Sequence, residues 1–188
     1  MNSQLISKMA LLLAIVGWAA VAHAQYTLVD LNPASRYSGT MANGVGGGQV
    51  GQGGVGVISH ALAWSGTAAS IVDLHPSAFT GGSVANGSIA GMQVGFGAVS
   101  LGGATHSLTW LGTAASAVDL NGTFSSSAAY GVASGSQVGF GTVSDPHAML
   151  WTGTSSSFVD LNPAGSLGSS AGRSFEDPCQ SGFANAYE

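Results

Sequence analysis

Three histidines recur in one setting: His60, His106 and His147 each stand four residues before a tryptophan, Trp64, Trp110 and Trp151. Four aspartates recur in another: Asp30, Asp73, Asp119 and Asp160 each sit inside a Val-Asp-Leu triplet. Imidazoles and carboxylates are the groups that bind zinc or calcium and that move protons as general acids and bases. A metal centre, however, needs ligands that converge with a second shell behind them. One His and one Asp per repeat place these groups on separate copies of a unit, which meet only at a central axis. The pattern therefore favours a structural reading, with His bonded to a neighbouring strand or to the repeated Asp and Trp packed as core. Asp, which mostly opens an Asn-Pro turn, reads as an Asx turn accepting nearby backbone N–H groups. On this reading the chain has no catalytic, cofactor-binding or metal-binding residues.

Other motifs are weaker. Gly46-x-Gly48-x-x-Gly51 has the dinucleotide-binding spacing, but no helix follows and the other repeats lack it. Gly168-Ser169-Ser170-Ala171-Gly172 has the nucleophile-elbow pattern, yet no histidine follows Ser170, so the hydrolase order fails. The Gly-rich stretch Gly46–Gly51 lacks the Asp of a calcium-binding β-roll. Glycoside hydrolysis needs two carboxylates close together, and the unrepeated Asp145, Glu176 and Asp177 are the residues that would supply them. Asn86-Gly87-Ser88 and Asn121-Gly122-Thr123 are glycosylation sequons.

These residues must be positioned by a tandem repeat of roughly 44 residues. Gln-Val-Gly-x-Gly begins at Gln49, Gln93 and Gln137; Gly-Thr follows each Trp, at Gly66-Thr67, Gly112-Thr113 and Gly153-Thr154. Each unit divides into short strands separated by Gly and Ser clusters. The second predicts strands over Ser83–Ala90, Met92–Val99, Thr105–Trp110 and Ala117–Leu120. His106, Leu108 and Trp110 alternate with Ser107 and Thr109, as in a strand with period two. Four strands at this period describe a β-propeller blade, with a β-solenoid as the alternative. The expectation is an all-β chain of three units, about 38–74, 83–120 and 129–161, forming a partial propeller within residues 25–165. An extra N-terminal strand from Tyr26 to Leu31 precedes them. Residues 166–188 read as a divergent, poorly ordered tail. Three blades do not close a ring, so a truncated longer protein or self-association to complete a propeller is expected.

The combination His-Ala-x-x-Trp, Gly-Thr, Val-Asp-Leu-Asn-Pro and Gln-Val-Gly resembles the HAF family of extracellular repeats. It is carried by His60-Ala61-Leu62-Ala63-Trp64 and His147-Ala148-Met149-Leu150-Trp151, with His106-Ser107-Leu108-Thr109-Trp110 departing from it. The phenylalanine usual after His-Ala in that family is absent. The resemblance spans about residues 26–165 and implies exported, propeller-like repeats with no general activity and no catalytic residues to transfer.

The N-terminus agrees with export. Lys8 precedes an apolar run from Met9 to Ala20, followed by Ala22-His23-Ala24, the plan of a secretory signal cleaved after Ala24. No later segment reads as a membrane helix, so no membrane attachment is expected after cleavage. The whole chain has a formal net charge of −5, and only Arg36 and Arg173 remain as cations beyond the signal. Such a surface neutralises few phosphates, which argues against nucleic acid and anionic membranes as partners. The single cysteine, Cys179, cannot form an internal disulfide. The expected function is a non-catalytic extracellular module that binds protein or glycan. The alternatives are a glycan-acting enzyme and a remnant of a longer repeat protein.

Overall fold

A computed structural model describes residues 27–33, 36–163, 168–176 and 179–184. The chain is all-β and tandem. The first blade comprises β1 (Thr40–Val45), β2 (Gln49–Val55), β3 (Ile58–Trp64) and β4 (Val72–Asp73). The second comprises β5 (Gly82–Ile89), β6 (Met92–Ala98), β7 (Thr105–Trp110) and β8 (Val118–Asp119). The third comprises β9 (Ser126–Ala133), β10 (Ser136–Thr142), β11 (Pro146–Trp151) and β12 (Val159–Asp160). Each is an antiparallel meander whose sheet order follows the chain. The three sheets are separate and share no ladder with one another, whereas solenoid coils share ladders from one coil to the next. The arrangement is therefore propeller-like. The first strands β1, β5 and β9 lie side by side as the inner edge, and the two-residue fourth strands form the rim.

Two expectations are corrected at the ends. Residues 170–176 and 179–184 are not an irregular tail: β13 (Ser170–Glu176) and β14 (Cys179–Ala184) pair as a hairpin. β13 packs on β9, β10 and β11 as β9 packs on the second blade. Its register was hard to read because Arg173 stands where β1 and β5 carry Asn43 and Asn86 and β9 carries Tyr130. All four are the bulged residue of an innermost strand. At the other end residues 27–33 form no strand. Among the described residues no third strand lies beside Val29 for it to pair with. Leu31 instead packs against Tyr37, Leu62 and Trp64. Tyr26 and residues 1–24 lie outside the described residues.

The blades hold together through three interlocking devices. Two of the Val-Asp-Leu leucines, Leu74 and Leu120, cross into the core of the following blade. Leu74 joins Phe79, Leu108 and Trp110, and Leu120 joins Phe124, Met149 and Trp151. Trp110 and Trp151 are fully buried. Burying such a ring gives roughly 4–6 kcal/mol. The buried indole N–H of Trp64, Trp110 and Trp151 has no acceptor among the described residues. An unmade bond of this kind costs about 1–3 kcal/mol, so burial wins.

The Gln-Val-Gly-x-Gly marker has a local cause. The Gln49, Gln93 and Gln137 Oε1 atoms accept the N–H of Gly66, Gly112 and Gly153, each at 2.8 Å, tying the second strand to the turn after Trp. A methyl at Gly95 would sit 2.0 Å from the Val84 carbonyl oxygen, and one at Gly97 would meet the Phe79 ring at 2.9 Å. Gly139 and Gly141 face Ala128 and Phe124 in the same way. The two glycines make room for the inner strand and for an aromatic ring.

The third device is a hydroxyl staple. Ser83, Ser127 and Ser170 head the inner strands β5, β9 and β13. Their Oγ atoms accept the backbone N–H of Ala61, Ser107 and Ala148 in the preceding blade, at 2.9, 2.9 and 2.8 Å. Ser127 and Ser170 then donate to the Asn121 and Asn162 Oδ1 atoms, each at 2.6 Å. Ser83 is paired with His75 Nδ1 at 2.8 Å instead. All three serines are buried. Replacing Ser127 with Ala leaves the Ser107 N–H and the Asn121 carbonyl oxygen unmatched. Chemical denaturation of the Ser127→Ala chain is expected to reveal a loss of about 1–3 kcal/mol; an unchanged midpoint would show that the staple contributes nothing.

Candidate functional site

The repeated His and Asp come together in pairs, one pair per blade. His60 Nδ1 lies 2.9 Å from Asp73 Oδ2, His106 Nδ1 2.7 Å from Asp119 Oδ2, and His147 Nδ1 2.8 Å from Asp160 Oδ2. The pairing follows from register. The third and fourth strands are antiparallel, with Leu62 opposite Asp73, Leu108 opposite Asp119 and Met149 opposite Asp160. The His two residues earlier on the same face thus reaches the carboxylate. The other carboxylate oxygen caps the turn: Oδ1 of Asp30, Asp73, Asp119 and Asp160 accepts the N–H two residues on, at 2.8, 3.0, 2.8 and 2.8 Å. Asp30 makes this turn with no blade histidine beside it among the described residues. Trp64, Trp110 and Trp151 lie in the cores next to their paired His strands. The structure does not bring the three repeated histidines together, and among the described residues no group of three His, Cys, Asp or Glu side chains is placed to hold a metal ion.

The first pair is elaborated. Arg36 Nη2 lies 3.1 Å from Asp73 Oδ2, and the Tyr37 hydroxyl donates to the same oxygen at 3.4 Å. His75, which takes the place of Asn32, Asn121 and Asn162, stacks on His60 with ring centres 4.0 Å apart and planes 17° from parallel. Burial raises the Asp73 carboxyl, but hydrogen bonds from His60 and the His75 N–H, with the His60 and Arg36 charges, hold it below its ordinary value. Burial and the neighbouring His60 push His75 below its ordinary value against the pull of Asp73. Burial and the Asp73 charge push the Tyr37 phenol up.

Sequence reasoning missed the serine staples and the His75 stack. The signal for both was alignment of the turn after Val-Asp-Leu: a Ser or Thr recurs at the head of each inner strand, and one of four Asn positions is His. The remaining candidates have other employment. Ser170, the middle of Gly-x-Ser-x-Gly, is a buried staple with its hydroxyl committed to Asn162. Gly46, Gly48 and Gly51 lie at or beside the β1–β2 turn, with no helix after them. The sequon residue Asn121 is buried and donates to the Phe124 carbonyl at 2.7 Å. Asn86 donates to the Ala129 carbonyl at 2.8 Å across a blade junction. Neither amide is free to carry a glycan in the folded chain. Asp145 is exposed in the β10–β11 turn. Glu176 ends β13, and Asp177 lies outside the described residues. No helix of the described residues is long and apolar enough to cross a membrane.

Compared with models of protein families, with characterised proteins and with solved structures, the chain finds no match.

The His75 stack carries a pH dependence. Its ring nitrogen faces Ser83 where Asn121 and Asn162 present an acceptor, so the neutral ring with its proton on Nε2 fits the junction. A lowered folded pKa means stability that is complete above the unfolded value of 6.5 and is lost as pH falls through the folded value. Asp73 adds a second loss below 3.8, since its folded value is also depressed. Thermal melts are expected to fall as pH drops from about 7 to about 5. The His75→Asn chain, which keeps an acceptor toward Ser83, is expected to flatten that fall. An identical pH profile in both chains would remove His75 as its source.

Proposed function

We propose that this chain is an exported, non-catalytic repeat module that uses propeller-like blades to bind an extracellular protein or glycan. The carrying observation is how the repeated polar groups are employed. Asp73, Asp119 and Asp160 each give one oxygen to a turn N–H and the other to their own blade's His, which they meet at Nδ1. The one serine in a nucleophile-like motif is likewise spent on a blade junction. Groups engaged in this way hold strands in register, and what the blades offer to a partner is surface.

Export is supported by the sequence plan of Lys8, the Met9–Ala20 apolar run and the Ala22-His23-Ala24 site. The resemblance to HAF repeats points the same way. Self-association is supported by the first blade's inner strand. Met41 and Val45 are exposed there, whereas Ser88 and Val132, which stand at the Val45 position in β5 and β9, are buried against a neighbouring blade. A surface that is covered at the later junctions and open at the first is suited to a further blade, including one from a second copy.

The secreted chain should begin at Gln25 when its N-terminus is sequenced, and it should release no reducing ends from extracellular polysaccharides. Release that disappears in the Asp145→Asn chain would replace this reading with glycan hydrolysis.

A further inference from the structure

The first and third blades fill one rim position with their own side chains, and the second does not. In all three an aromatic ring from the leading loop, Tyr37, Phe79 or Phe124, sits over the glycine Gly53, Gly97 or Gly141. The residue after the one-turn 3-10 helix then packs beside that ring. In the first blade it is Ile71, in the Tyr37 cluster. In the third it is Phe158, edge-to-face on Phe124 with centres 5.0 Å apart. In the second it is Ala117. The residue before the ring also varies: Arg36 precedes Tyr37 and reaches Asp73, whereas Ala78 precedes Phe79 and Thr123 precedes Phe124.

Both substitutions by alanine border one cavity. It has a volume of about 590 Å³, and Ala78, Phe79, Leu108, Ala114, Ala117 and Asp119 are among its walls. The side chains of Asp119 and Asp160 are 45% and 39% exposed, against 19% for Asp73, which Arg36 covers; only Asp119 borders the cavity. The floor is methyl groups and ring carbon, and the polar wall is the Asp119 carboxylate, bonded to His106, with His75, bonded to Ser83. Such a lining offers little to a sugar rich in hydroxyls, and its charge repels anions. The first blade displays an occupant that fits the same frame: a branched apolar side chain on the ring and a guanidinium on the carboxylate.

We infer that this groove on the second blade binds a peptide segment of a partner protein in which an aromatic or branched apolar side chain adjoins an arginine or lysine. The apolar side chain takes the place of Ile71 or Phe158 beside Phe79, and the cation takes the place of Arg36 on Asp119. This rests on the binding-module reading and names its site and ligand class.

The test uses N-acetyl-Phe-Arg-amide on the full secreted chain, followed by amide chemical shifts. Shifts are expected to cluster at Ala78, Phe79 and Ala114–Asp119, with N-acetyl-Phe-Glu-amide and N-acetyl-Ala-Arg-amide at least about tenfold weaker. Asp119→Asn should remove the preference for Arg over Glu. The double change Ala78→Arg with Ala117→Ile rebuilds the first blade's own set. It should cost at least about tenfold in binding while melting no lower than the parent chain. Binding that survives this refilling, shifts confined to another face, or no shifts at millimolar peptide would each overturn the groove proposal. Those outcomes leave the broader module reading standing, because that reading falls only to polysaccharide cleavage.

Discussion

Everything in this chain depends on the contact between one blade and the next. A sheet with two-residue outer strands and second strands that carry the Gly-x-Gly pair has too little side-chain volume to bury its own faces. Stacking supplies the missing half of each core. The Leu of Val-Asp-Leu leaves its blade to complete the Trp cluster of the following one. The Ser that heads the following inner strand reaches back to a main-chain N–H of the blade before. The exchange is reciprocal: apolar area goes forward and a buried hydrogen bond comes back. Repeat stability of this kind is a sum over nearest-neighbour junctions.

The His-Asp pairs follow from the same constraint. The turn between the fourth strand and the next inner strand must aim Leu into one core and Asn or His at the staple serine. A carboxylate with one oxygen on the turn N–H and the other on the His of the third strand fixes that turn from both sides. This is why His, Trp, Asp and Leu recur as a set although they are far apart in sequence.

The period, the four strands and the all-β class were legible because they rest on apolar alternation and turn residues, which local sequence displays directly. The third strand Thr105–Trp110 is the clearest case, with expectation and structure coinciding. The staples were not legible, because Ser is common throughout this chain and its role depends on partners about twenty residues away. The hairpin β13–β14 was missed for a related reason. Arg173 replaces the usual bulge residue, and the conserved feature of that strand is the same inconspicuous serine. The N-terminal Val-Asp-Leu was over-read as a strand because a strand requires a neighbour, and sequence alone does not say whether one is present.

The rim groove is what the repeat reveals when its copies are compared rather than averaged. A marker shared by every blade belongs to the junctions, so function in such a chain should be sought where one copy departs from the others. His75 is one departure: it replaces an uncharged amide with a group that titrates, inside a junction whose other versions carry asparagine there. Ala78 and Ala117 are the other. Ala117 stands where the other blades carry Ile71 and Phe158, and Ala78 where the first carries Arg36, while Phe79 and Asp119 stay in place. Loss of either alone would open only part of the space. Loss of both leaves an apolar floor and an exposed carboxylate in the geometry that the first blade satisfies within itself, which is the physical description of a site that accepts the same two groups from another chain.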